Sequence, residues 1–567
     1  VEFSEELLAD IDADLQKAQE TATKIVEKKD ELTPTISADT LREHLVLLEE
    51  YAEAISRASI HSHALYEVDQ EDEKRNQAVK KVQQASVQLS EQLMYFSLTI
   101  KTFPVETLDT LAKQLLRYES YLRDIKKNAQ YALSEEQEQL ISKKDSSGID
   151  TVEKLYGMIT SKYVHTLEVD GEVLELTKEE LMPYILGDDR ELRKEARKAL
   201  LKPYSEDRTI LAEIYSAIVT DYDDESKLRG YKNPIDSRHL ANDIPAGVYE
   251  ALKTSAQKHQ QLFVDYVDIK KELLGYETMH AYDVRANIAG LPKGTEYEQA
   301  KQRVQRVFSE YADWLAQGAQ EMFENNRIDV HPRKNKRGGA CCIGGLPNDL
   351  PLLVLNHTKT YESLKTLAHE MGHAVHAILA QHNSIFSIQS QLVLAESASN
   401  LAETLMFEDS LKKANTKEQI ALLCDYLDDC LGSIPTQLKY TEFEKWAHGE
   451  VQNHKTPSEL SKKWASLTQQ DFPNIKLESQ ESDGWLAIPH IYSVPFYFYS
   501  YSFGILIALS LYEKATPDQV KEILSAGSSR EPAELLLEYG LDITSQEFWD
   551  AGFEKIQSLV DRLKSLL

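Results

Sequence analysis

The sequence predicts a mostly α-helical chain with a small β-sheet just ahead of its chemistry-bearing helix. Three observations lead there. Apolar residues recur at helical spacing from the amino terminus to about residue 145, and again from residue 361 to the end. Strand signals are confined to a hairpin pattern near residues 162–176 and a glycine-punctuated segment from Asp329 to Asn356. The length is 567 residues, 42% hydrophobic and 28% charged, a globular balance with room for several cores or one lobed enzyme.

Each element follows from a local pattern. Leu41 to Ile55 and Asn76 to Leu115 are periodic segments with charged outer faces, punctuated by Pro34 and Pro104. Lys143-Lys-Asp-Ser-Ser-Gly148 is turn-rich and reads as a lobe boundary. In the run from Lys162 to Leu176, Asp170-Gly171 supplies the positive φ angles of a tight hairpin turn, which makes either a flap over a cleft or a decorated edge. Helical patterns return over Glu179–Tyr222, Ala246–Leu274 and Glu296–Asn325. Lys336-Arg-Gly338-Gly339-Ala-Cys-Cys-Ile-Gly344-Gly345 punctuates short strands, and Pro351-Leu-Leu-Val-Leu-Asn356 has strand length. A strand in that position is expected to offer an unpaired edge to an extended peptide. No fixed-period repeat is present.

Composition excludes several function classes. A formal net charge of −30 argues against nucleic acid and anionic membranes as partners. Four cysteines are too few for a disulfide scaffold and match no thiolate metal site, so they fit a reducing cytoplasm. Val1-Glu-Phe-Ser-Glu-Glu6 is acidic without an apolar core, so no secretory signal is expected there. From Gly484 to Tyr512 the only ionisable residue besides tyrosine is His490, which is long enough for a membrane span. Its prolines, histidine and tyrosines would be costly in lipid, and a buried segment with hydroxyls facing a wet cleft fits better. No sequence feature specifies an oligomeric state.

The most informative stretch is Thr366-Leu-Ala-His369-Glu370-Met-Gly-His373-Ala-Val-His376. Histidines four apart on a helix leave the same face, where two neutral imidazoles suit a zinc ion. The intervening Glu370 can take a proton from water activated there, so the pattern implies metal-assisted hydrolysis. Leu364, Leu367, Ala368, Met371, Val375, Ile378 and Leu379 supply the apolar face. The competing reading is a core helix with two satisfied histidines.

A catalytic zinc site needs a third ligand. His376 is too close along one helix, and the position a metzincin would use falls on Leu379. Glu396, in Leu394-Ala-Glu396-Ser-Ala-Ser-Asn-Leu-Ala-Glu403, is the alternative, with Glu403 on the same helix face to hold an imidazole N–H. Solvated helix glutamates are the plainer reading, but the neighbours Leu392, Val393, Leu394, Leu401 and Ala402 favour burial. Hydrolysis also needs donors to an oxyanion, and His490, Tyr492, Tyr497, Tyr499 and Tyr501 are candidates.

These motifs, with Arg229-Gly-Tyr231 to Asn242, resemble the oligoendopeptidase F branch of the thimet-oligopeptidase-like (M3) metallopeptidases. The likeness is strongest from about residue 200 to 560. It implies a multi-lobed, neurolysin-like helical zincin shell around a deep substrate channel, with a small β-sheet near the active site and one zinc ion per chain. Residues 1–110 would be an amino-terminal helical region, 111–200 a helical lobe carrying the hairpin, and 201–567 the catalytic domain. By motif, His369, His373 and Glu396 correspond to the ligands and Glu370 to the general base. His490 and Tyr501 correspond to the carbonyl and oxyanion stabilisers. Pro495 stands in place of a glycine-rich turn and His357 in place of an expected tyrosine, so Tyr499 stays open beside Tyr501, and Tyr492 or Tyr497 as a second donor. Gly338, Gly339, Leu355 and Asn356 are expected to contact the substrate. The implied activity is a zinc endopeptidase cutting internal bonds of short, unstructured oligopeptides in the cytoplasm. Two alternatives stand beside it: a dipeptidyl-carboxypeptidase type of zinc enzyme, and a catalytically dead peptide-binding shell.

Overall fold

Apolar stripes at helical spacing organise almost every segment of the computed structural model, which describes residues 6–450 and 453–567. Val1–Glu5, the start of the segment read above for a secretory signal, lie outside the described residues. The chain forms two compact units. The first comprises residues 1–135, 292–412 and 507–542, the second 136–291, 413–506 and 543–567.

In the first unit, helices Glu6–Glu27, Ala38–Val68 and Glu73–Lys101 pack through Ala18, Ala22, Ile25, Leu41, Leu45, Leu89 and Phe96. Ser37 and Asp72 cap the second and third of these by accepting the backbone N–H groups of Thr40 and Arg75. Pro104 opens the next helix, Val105–Gln114.

The second unit holds the hairpin. Strand β1 (His165–Val169) pairs antiparallel with β2 (Glu172–Leu176) through Asp170 at φ 52° and Gly171 at φ 84°. Leu167 packs with Leu181, Ala196 and Leu200 of the two helices that follow. A parallel pair absent from the sequence reading, β3 (Met279–His280) with β7 (Ile475–Lys476), lies in the same unit.

Two expectations need correction. Lys143 to Ser147 are helical, within Glu135–Ser147; the break is confined to Gly148, where the next helix begins. The segment 329–356 does form a sheet in the first unit, from β4 (Ile328–Asp329), β5 (Cys341–Ile343) and β6 (Leu352–Val354). Its order is β4-β6-β5, so β6 is central: Leu353 pairs with Ile328 on one side and Cys342 on the other. The strand before the metal helix therefore offers no free edge over Leu352–Val354. The outer position beside it belongs to β5.

The buried side chain of Lys336 ties this sheet to its loops. Its ammonium donates to Asp329 Oδ1 (2.6 Å), the His331 carbonyl (3.0 Å) and the Leu355 carbonyl, while Arg333 grips Asp329 with two bonds of 2.8 Å. Burial favours the neutral carboxylic acid, but these cations outweigh it and hold Asp329 below the usual carboxylate range. Among the described residues, no helix is long and apolar enough to cross a membrane.

Candidate active site

Helix Tyr361–Ala380 carries the histidines. Thr360 caps it, and Leu364, Leu367, Ala368, Met371 and Val375 bury its apolar stripe. Helix Ser397–Lys413 crosses it, with Glu396 at the junction between the short turn Leu392–Ala395 and that helix. The crossing is close because of Gly372. A Cβ there would lie 2.6 Å from the Ala398 carbonyl oxygen and 2.7 Å from Ser399 Cα. The sequence reading passed over this glycine. Its signal was present, since a mid-helix glycine costs about 1 kcal/mol against alanine and needs a packing reason.

The approach brings His369, His373 and Glu396 together, one donor atom from each within 4.8 Å of the others. The two imidazole Nε2 atoms are 3.2 Å apart, and Glu396 Oε2 lies 3.6 Å from that of His369 and 3.4 Å from that of His373. Donors bound tetrahedrally at about 2.0–2.1 Å stand about 3.3 Å apart, so the three fit a zinc-sized ion. Electrostatics agrees. Burial alone would lower the His369 pKa, but Glu403, hydrogen-bonded to it, raises it to about 9. Burial alone would raise the Glu396 pKa, but His373, His369 and Ser399 hold it at about 2. Both shifts favour positive charge where the donors meet, which a divalent cation supplies.

Supporting partners surround the donors. His369 Nδ1 donates to Glu403 Oε1 at 2.6 Å, and Ser399 Oγ donates to Glu396 Oε2 at 2.9 Å. Glu370 is 7% exposed, its Oε2 accepts no hydrogen bond, and burial raises its pKa. His376 stands apart from the cluster. It is buried, its Nε2 meets Ser390 Oγ at 3.1 Å, and burial lowers its pKa to about 4.

A cleft of about 420 Å³ opens on this cluster, lined among others by Gly339, Leu355, Asn356, Lys365, His369 and Glu370. Gly338 is absent from that lining. Asn356 Nδ2 donates to the carbonyls of Arg337 (2.8 Å) and Gly339 (2.7 Å), so this side chain holds the glycine loop. His357 Nε2 donates to the Thr295 carbonyl at 2.9 Å.

The tyrosine-rich segment belongs to the second unit and sorts into two sets. His490, Tyr497 and Tyr501 are partly exposed and form a row. The His490 and Tyr497 rings stack at 5.6 Å and Tyr501 meets Tyr497 edge-on at 5.2 Å. Tyr492 and Tyr499 are buried. Tyr492 stacks on Tyr156 at 3.9 Å, and the Tyr499 hydroxyl accepts from Asn242 Nδ2 at 2.6 Å and meets His239 Nδ1 at 3.1 Å. Burial raises the pKa of both tyrosines and lowers that of His490.

Comparison with known proteins agrees with this architecture. The profile of Peptidase family M3 matches residues 184–555, and that of Oligopeptidase F matches residues 100–163. An oligoendopeptidase F homolog of Lactococcus lactis is 29% identical over 70% of this chain and 67% of its own length. The group B oligopeptidase PepB of Streptococcus agalactiae is 27% identical over 80% of this chain and 77% of its own. The crystal structure of oligoendopeptidase-F from Enterococcus faecium superposes with a TM-score of 0.74 at 21% identity, over 97% of this chain and 98% of that one, a likeness of fold. The chain belongs to peptidase family M3 and is a metalloendopeptidase of that family.

Proposed function

We propose that the enzyme uses one zinc ion, held by His369, His373 and Glu396, to hydrolyse internal bonds of short, unstructured oligopeptides. The observation that carries this reading is the convergence of those three donors beside the buried, unpaired carboxylate of Glu370. A zinc ion there would supply a Lewis acid that acidifies water and polarises a carbonyl.

The chain's own residues do the rest. Glu370 accepts a proton from the attacking water, which its raised pKa suits, and returns that proton to the leaving amine. Glu403 fixes the His369 ring and its tautomer. His490 and Tyr501 donate to the oxygen that gains charge, an assignment supported by motif. Tyr501 is preferred over Tyr499, whose hydroxyl is committed to Asn242 and buried. The cleft of about 420 Å³ accommodates an extended segment rather than a folded domain, which supports oligopeptide substrates. Four free cysteines support a reducing, cytoplasmic setting.

Glu370→Gln tests the assignment. It should retain zinc by metal analysis yet lose roughly 10²–10⁴-fold in cleavage of a quenched internal peptide. Turnover near that of the parent enzyme would overturn the role of Glu370. Lys365, the cation lining the cleft, already pairs with Glu362 at 3.2 Å. A peptide blocked at both ends should therefore be cut as well as a free one, in contrast to a dipeptidyl carboxypeptidase.

A further inference from the structure

One peptide group in the second unit is gripped from both sides. Between Pro495 and Phe496, the carbonyl oxygen accepts from Arg238 Nε at 3.2 Å and the N–H donates to Glu444 Oε1 at 3.0 Å. The bond is trans, so the two groups point in opposite directions and each needs its own partner. Phe496 sits at φ 58°, a costly backbone for an aromatic residue.

Glu444 is fully buried, and its second oxygen has no partner. Burial pushes its pKa up to about 8, against the opposing pull of the Phe496 N–H and Arg238. A buried carboxyl kept at such cost serves its single contact. The Phe496 ring fills the space between His448 (4.6 Å) and Tyr222 (5.9 Å), which anchors the same turn from its side chain.

The turn links the members of the partly exposed aromatic row. The His490 carbonyl accepts from the N–H of Val494 at 2.8 Å, Tyr497 follows directly after the gripped peptide, and Tyr501 lies in the first turn of helix Tyr499–Lys514. One turn of chain thus sets the spacing of His490 from both tyrosines. On the far side, Asn242 and His239 hold Tyr499, the first residue of helix Tyr499–Lys514. The stretch from Arg238 to Asn242 therefore fixes both the turn and the start of the helix.

The geometry points to Glu444 and Arg238 as positioning residues that clamp the 495–496 peptide and so hold His490, Tyr497 and Tyr501 in register. This inference rests on the proposed role of His490 and Tyr501 in stabilising charge. It assigns no contact with substrate to either clamp residue.

The test uses the zinc-loaded full chain with Glu444→Leu, which keeps bulk but removes the acceptor, and Glu444→Gln, which keeps an acceptor. In Glu444→Leu, amide exchange across 493–498 should accelerate about tenfold or more. Its kcat should fall about 10–100-fold with KM within about threefold and zinc content unchanged. Glu444→Gln should restore both readouts. Should Glu444→Leu fail to fold, Arg238→Met reads the clamp from the opposite face, with the same two expectations. Parental exchange over 493–498, or accelerated exchange with parental kcat, overturns the clamp. Near-normal activity of both His490→Gln and Tyr501→Phe instead refutes the charge-stabilising role on which it rests, whatever the exchange data show.

Discussion

His369 turns Nδ1 to Glu403 Oε1 at 2.6 Å, and this one bond decides that Nε2 faces Glu396 and His373. An imidazole has two nitrogens, and the partner of one fixes what the other can do. A carboxylate on Nδ1 keeps a proton there, so a metal ion would displace only the proton on Nε2, which then serves as the lone-pair donor. The shortness of the bond fits a charge-assisted contact.

Replacing Glu403 by Gln should therefore weaken zinc binding roughly 10–100-fold without unfolding the protein. Competition with a chelator of known affinity measures it. An unchanged zinc affinity would remove Glu403 from the support of the site.

Gly372 sets the approach of the two helices that carry the donors. Gly372→Ala puts a methyl 2.6 Å from the Ala398 carbonyl oxygen, so the helices must separate. Overpacking of this kind should cost about 1–3 kcal/mol and lower zinc content in parallel. Gly157, inside helix Ile149–Thr160 with nothing within 4 Å of an added Cβ, is the matched control. Gly157→Ala should leave stability unchanged or raise it by up to about 1 kcal/mol. Urea titrations of both variants decide the comparison.

Burial lowers the pKa of His448 to about 3 and that of His239 to about 4. In the unfolded chain both titrate near 6.5, so below that pH the unfolded state binds protons the folded state refuses. The stability they contribute is complete above pH 6.5 and drains away as pH falls toward 3–4, at about 1.4 kcal/mol per pH unit for each proton. The His448 share is read as a difference: between pH 7 and 5 the urea-derived stability of His448→Leu should fall by about one proton's worth less than that of the parent chain.

Much of the site was legible in order of sequence. His369 and His373 share a face because of their spacing, and Glu396 and Glu403 stood out as carboxylates among apolar neighbours. The hairpin was legible because Asp170-Gly171 meets a local backbone demand that few residue pairs can satisfy. What escaped the sequence depends on distant segments. Nothing near Gly372 says that the backbone of Ala398 and Ser399 passes it. The central place of Leu352–Val354 requires Ile328–Asp329 to pair on its far side, which no alternation within either strand encodes. Tyr499 and Tyr501 are both aromatic in an aromatic run, yet two residues along a helix turn a side chain by about 200°, so one faces Asn242 and the other the His490 row. Gly148 alone broke the helices around it because the polar residues before it tolerate helical geometry.

The discontinuity of each compact unit has a consequence for how the protein is made. Residues up to 135 emerge from the ribosome before the rest of their unit, which also needs 292–412 and 507–542. The nascent chain must therefore hold unsatisfied apolar helix faces through most of synthesis, and contacts so remote in sequence form slowly. Premature termination anywhere before residue 542 leaves a fragment with exposed core, a substrate for chaperones and for the cell's own degradation machinery rather than a smaller working enzyme.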